Sequence, residues 1–159
     1  MLHLIPPPLH RVALRLADGL RKRWWRLRKP LLLGCRVIAF DEAGRVMLIR
    51  HSYGSNLWML PGGGIGRGED PVAAAVREFC EETGCTLIAA RLVTITEDPL
   101  HGATNRVHVV CGQAKGAPKP DGREIVALGF HAPDDLPEDI SPTLAARIGS
   151  WLELTSSLE

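Results

Sequence analysis

Cysteine is sparse and scattered. Cys35, Cys80, Cys85 and Cys111 form no C-x-x-C pair, which removes a zinc ribbon and a thioredoxin-type redox centre from consideration. Buried free thiols in a reducing compartment, the cytoplasm, are the expectation. No apolar run reaches the roughly 18–20 residues of a membrane span, so an integral membrane protein is not expected. Arg11, Arg15 and Asp18 interrupt any continuous apolar stretch near the start, which argues against a cleaved secretory signal. There is no internal repeat and no low-complexity segment. What is present is 159 residues with 45% apolar and 23% charged side chains, the size and balance of one ordinary globular domain.

The overall charge of +1 conceals an asymmetry. Residues 1–29 hold eight basic side chains against the single acid Asp18, leaving eleven basic and seventeen acidic groups for the rest of the chain. A basic arm, residues 1–30, therefore precedes an acidic body, residues 31–159. Within the arm Leu9, Val12, Ala13, Leu16, Leu20, Trp24, Leu27 and Leu31 recur at three- and four-residue steps, the spacing of one face of an amphipathic helix. Such a stripe can dock on the domain or on a second copy in a homodimer, and docking is the preferred expectation. With arginines on its other face the helix could instead lie on an anionic membrane surface.

Pro6-Pro7-Pro8 and Pro30 bracket that helix. Beyond it, Leu33–Phe40 and Val46–His51 are valine- and isoleucine-rich runs separated by Asp41-Glu42-Ala43-Gly44, a predicted hairpin. Leu57–Leu60 leads into a loop with five glycines between Gly62 and Gly68. Asp70 is a good N-cap, Pro71 suits the first helical position and Gly84 suits a left-handed C-terminal cap, so a helix is predicted from Pro71 to Thr83. Strands are expected at Leu87–Thr96, Arg106–Gln113 and Glu124–Phe130, with a polar link from Asp98 to Asn105 and a closing helix over Ser141–Leu154. Strands and helices interleave without strict βαβ repetition, which implies an α/β fold with a mixed sheet.

On the predicted helix Glu78, Glu81 and Glu82 stand at i, i+3 and i+4, bringing three carboxylates together within one turn. Like charges so placed call for something positive, and carboxylate-rich oxygen ligation suits Mg²⁺ or Mn²⁺ bridging to a substrate phosphate. Arg77 can grip a neighbouring carboxylate and lower its pKa. Glu69, just before the helix, can complete the cluster.

The run Gly63, five residues, Glu69, seven residues, then Arg77-Glu78-Phe79-Cys80-Glu81-Glu82-Thr83-Gly84-Cys85 resembles the Nudix box, G-x5-E-x7-R-E-U-x-E-E-x-G-U, with U a bulky aliphatic residue. Phe79 and Cys85 depart from the usual aliphatics and touch only packing. The resemblance implies a Nudix-type α/β/α sandwich with a mixed β-sheet, here preceded by the basic amphipathic N-terminal helix. It implies hydrolysis of a nucleoside diphosphate linked to another moiety, with Mg²⁺ or Mn²⁺ as cofactor. By that motif Glu78, Glu81 and Glu82 would be metal ligands, the Gly63 carbonyl a further ligand, and Arg77 and Glu69 would orient them. Glu78 is a candidate general base within the box; Glu124, beyond it, is the first choice for a base from a loop, ahead of Glu97 and Asp98.

Markers for the linked moiety are thin. Tyr53, the one tyrosine, lies upstream of the place where the diadenosine-polyphosphate group keeps its own, and signatures of the NADH and CoA groups are absent. Pro99 falls near the proline of the ADP-ribose group, which favours ADP-ribose or a nucleotide sugar. Trp58 is the candidate for stacking on a base or ribose, while His51, His101 and His108 are expected to be structural or on the surface. The expected partner is thus a small nucleotide derivative, with no specific nucleic acid. A nucleotide sensor or a membrane-bound binding protein without turnover is the alternative, and the intact carboxylate set favours catalysis.

Overall fold

Residues 30–120, 122 and 124–156, with Ala17, Leu20 and Trp24 of the arm, are described by a computed structural model. The five strands are β1 (Leu31–Phe40), β2 (Val46–His51), β3 (Thr86–Leu100), β4 (Ala103–Lys115) and β5 (Ile125–His131), and the helices are α1 (Pro71–Thr83) and α2 (Pro142–Ser156). They form one sheet in the order β3-β4-β1-β2-β5. β1 runs parallel to β4, whereas the β1–β2, β2–β5 and β3–β4 pairs are antiparallel, so the sheet is mixed as expected.

Side chains along a strand alternate between faces, and β1 shows what that does here. Cys35, Val37 and Ala39 face one way and join Met47, Val110 and the Ala74, Ala75 and Phe79 side chains of α1 in one buried cluster. Ile38 faces the other way, packing with Leu48, Val109 and the Ile148 and Trp151 side chains of α2. Each helix thus covers one face of the sheet. α1 begins where the sequence predicts: the Asp70 carboxylate accepts from the Val72 and Ala73 amides, and Gly84 closes the helix at φ 69° with its N–H on the Cys80 carbonyl. α2 is tied to β3 by a two-pronged ion pair, with Arg147 donating to both oxygens of Asp98 at 2.6 Å.

Two expectations need correction. The polar link from Asp98 to Asn105 is strand on both sides of a two-residue turn: pairing continues to Leu100 opposite Ala103. His101 and Gly102 take positive φ angles of 51° and 87°, the backbone of a tight hairpin. The polar residues suggested a loop, but the backbone ladder continues through them, flanked by an Arg106–Glu97 pair at 2.7 Å. The cysteines are all free, yet Cys80 is exposed on α1 while Cys35, Cys85 and Cys111 are buried. The arm lies outside the described residues except for Ala17, Leu20 and Trp24, which are helical. Leu20 and Trp24 are 71% and 53% exposed.

Candidate active site

The glycine loop lies alongside β1 like an irregular sixth strand. Val37 donates to the Pro61 carbonyl at 2.8 Å, Cys35 to Gly63 at 2.9 Å and Ile65 to Leu33 at 3.0 Å. That close approach explains the glycines. At Gly62, where φ is 138°, a Cβ would fall 2.3 Å from the Cys35 carbonyl oxygen; at Gly63 it would fall 2.5 Å from the Glu78 carboxylate. The loop therefore forms a floor against which the carboxylates of α1 rest.

Arg77 organises the cluster from within the helix. Its Nε and Nη2 hold the two oxygens of Glu69 at 2.9 and 3.0 Å, and its Nη1 reaches Glu78 at 2.8 Å. Glu69 also accepts from the Gly66 amide at 2.7 Å. The Arg77 hydrogen bonds, then the Gly66 amide, hold the Glu69 carboxyl below the usual carboxylate range, and the two glutamates raise Arg77 in turn. Glu78 behaves oppositely: burial pushes its pKa up, and Glu82 and Glu81 push it further, against the pull of Arg77. Glu82 is nearly covered at 11% exposed, whereas Glu81 is 61% exposed. One Glu82 oxygen accepts from the Gly62 amide at 2.8 Å.

A cavity of about 850 Å³ opens over this floor, and Glu78, Glu82, Gly63 and Glu124 all line it. Glu124 reaches it because its carbonyl accepts from the Ser52 amide at 2.7 Å, extending the β2–β5 ladder to the cavity rim. Glu97 and Asp98 do not line it, being engaged with Arg106 and Arg147. Trp58 is elsewhere: its ring packs with the Arg50 guanidinium at 4.7 Å and edge-on to His131. His51 and His101, expected to be structural or on the surface, line the cavity, and so do Tyr53, Arg36 and Asn105. They come from β1, β2, β4 and the connections after β2 and β3, and no local spacing signals their convergence.

The donor set fits a hard divalent cation. Two partly buried carboxylates rest on a glycine floor that a single Cβ would fill, and burial, with smaller contributions from Glu82 and Glu81, raises Glu78, a cost that a bound cation relieves. Glu81 is exposed, so its rotamer changes at little cost. The Gly63 carbonyl accepts the Cys35 amide at 2.9 Å and, more distantly, the Cys35 thiol at 3.7 Å, a weak donor that a cation can displace. With Arg77 lying against Glu78 and Glu81, no three acidic, imidazole or thiol groups among the described residues converge as a ready-made metal cluster.

A family model of the NUDIX domain matches residues 30–152. The chain belongs to the Nudix family. A putative 8-oxo-dGTP diphosphatase of Bacillus subtilis is 29% identical over 119 residues, 74% of this chain and 78% of that protein. An RNA pyrophosphohydrolase of Roseobacter denitrificans is 54% identical over 41 residues, only 26% of either protein. Among solved structures, a MutT Nudix hydrolase from Burkholderia pseudomallei superposes with a TM-score of 0.66 at 29% identity, covering 78% of this chain and 97% of that one. A UDP-X diphosphatase superposes with a TM-score of 0.70 at 21% identity over 90% of this chain and 72% of that one, a likeness of fold. The Nudix chain described here is a pyrophosphohydrolase, and enzymes of its family use divalent metal ions. No helix among its described residues is long and apolar enough to cross a membrane.

Proposed function

We propose that this enzyme cleaves the pyrophosphate bond of a nucleoside diphosphate joined to another moiety, with ADP-ribose and nucleotide sugars as the favoured substrates. The observation that carries the reading is the cavity itself. Glu78, Glu82 and Glu124 line it together with Arg36, Leu31–Leu33, His101 and Asn105, and its volume of about 850 Å³ leaves room for a nucleoside or sugar beyond a diphosphate.

Glu78, Glu81 and Glu82, with the Gly63 carbonyl, would hold Mg²⁺ or Mn²⁺. When bound, that ion supplies charge neutralisation on the diphosphate and a lower pKa for water. Arg77 fixes Glu69 and Glu78 through its fork of donors, so those side chains need little reordering when substrate enters. Glu124 lines the same cavity and would accept the proton of the attacking water. Arg36 lines the cavity and can balance phosphate charge. For the arm, the exposure of Leu20 and Trp24 supports a partner outside its own domain, an anionic bilayer surface or a second copy.

The test is a panel of ADP-ribose, UDP-sugars, 8-oxo-dGTP and triphosphate-ended RNA, incubated with Mg²⁺ or Mn²⁺ and scored by product mass. Metal-dependent release of a mononucleotide from ADP-ribose or a nucleotide sugar, well above the other substrates, is expected. Preference for 8-oxo-dGTP or RNA would overturn the substrate assignment, and metal-independent turnover would overturn the mechanism.

A further inference from the structure

His51 sits at the last position of β2, where the pairing with β5 slips. Arg50 lies opposite Ala127, but His51 lies opposite Ile125, so Val126 is the extra residue of a β-bulge. Bulges turn a strand and re-aim the side chain beside them. Here the imidazole lines the cavity, with Nε2 3.2 Å from Glu82 Oε1 and Nδ1 3.2 Å from the Met59 sulfur. The ring also stands edge-on to Tyr53, with centroids 5.4 Å apart. It is largely buried, at 13% exposed, and so is its carboxylate partner.

A neutral imidazole has one N–H to give. A carboxylate is a much better acceptor than a thioether, so the proton belongs on Nε2 and the bond runs from His51 to Glu82. The other Glu82 oxygen already accepts from the Gly62 amide. Both oxygens are thus held from the protein side, by groups on two different elements, and the carboxylate cannot rotate freely.

We propose that His51 is a positioning residue for Glu82: it fixes the orientation in which that carboxylate meets a divalent ion, and so raises the affinity of the site. The inference rests on the reading of Glu82 as a metal ligand. Groups that orient ligands in this way typically change metal affinity by about 10–100-fold when removed. The histidine lies outside the box and carries no role in the mechanism above.

The experiment measures Mn²⁺ binding to the full chain without substrate, from the free-ion signal in electron paramagnetic resonance, alongside melting temperatures. His51→Phe keeps a ring against Tyr53 and Met59 but has no donor; His51→Gln restores an N–H near the position of Nε2. The expected result is a loss of about 10–100-fold in Mn²⁺ affinity for His51→Phe and recovery to within a few-fold for His51→Gln. Wild-type affinity in His51→Phe overturns the proposal. So does an equal loss in both variants, and nitrogen coupling in the wild-type Mn²⁺ spectrum would then show that His51 ligates the ion itself. Glu82→Gln separates the two readings: if it leaves binding unchanged, the ligand role of Glu82 fails. If it abolishes binding while His51→Phe does not, only the positioning role fails.

Discussion

Glu78 and Glu124 line one cavity, and the roles proposed for them separate by mutation. Glu124→Gln should lower kcat by about 10²–10⁴-fold while KM and Mn²⁺ affinity stay nearly unchanged, because an amide keeps the shape but cannot take a proton. Glu78→Gln should weaken metal binding instead, since Glu78 lies on the glycine floor within the carboxylate cluster. Steady-state kinetics paired with a metal titration checks both, and exchanged outcomes would move the base into the helix. Glu81→Gln and Glu82→Gln should each remove most metal-dependent turnover with the melting temperature preserved. A folded Glu82→Gln protein with full turnover and full metal affinity would contradict the assignment.

Among the elements, the glycine loop supports the carboxylates and the Asp98–Arg147 pair ties α2 to β3. Gly62→Ala should be costly for two reasons that add: φ is 138°, and the new methyl would lie 2.3 Å from a β1 carbonyl. A loss of about 2–4 kcal/mol is expected, read by urea unfolding. At the other face, the Asp98–Arg147 pair is partly exposed, so its removal should cost only about 0.5–1 kcal/mol. Its pH dependence has a definite sign. The Arg147 hydrogen bonds hold the Asp98 carboxyl below its usual range, so its contribution is present above the unfolded pKa and disappears as pH falls through the folded one. Wild type and Asp98→Asn should therefore differ in melting temperature at neutral pH and converge in acid. A constant difference down to the lowest pH at which the protein folds would rule out the carboxylate as the cause.

For the molecule as a whole, the arm's partner is read from its exposed apolar side chains. Leu20 and Trp24 are exposed, so the full-length Leu20→Ser, Trp24→Ser variant should melt within a few degrees of wild type, as surface substitutions do. It should lose binding to anionic vesicles if a bilayer is the partner, with the wild-type binding falling as salt rises. A change in sedimentation without vesicle binding would point to a second copy. A large fall in melting temperature with neither change would restore docking on the domain.

Local order was legible from the chain. The Asp70 cap, Pro71 and Gly84 bounded α1 to the residue, because caps depend on neighbours within a turn or two. The box spacing placed Glu69, Arg77 and Glu78 in one hydrogen-bonded cluster for the same reason. The tertiary structure alone decided the β3–β4 hairpin, where backbone pairing runs through a polar segment, and the position of Trp58, which packs with Arg50 and His131. It also brought His51 to Glu82 across 31 residues of sequence. That meeting depends on a bulge between two strands far apart in the chain, and a strand's register is set by its partner and the face it buries rather than by its own residues.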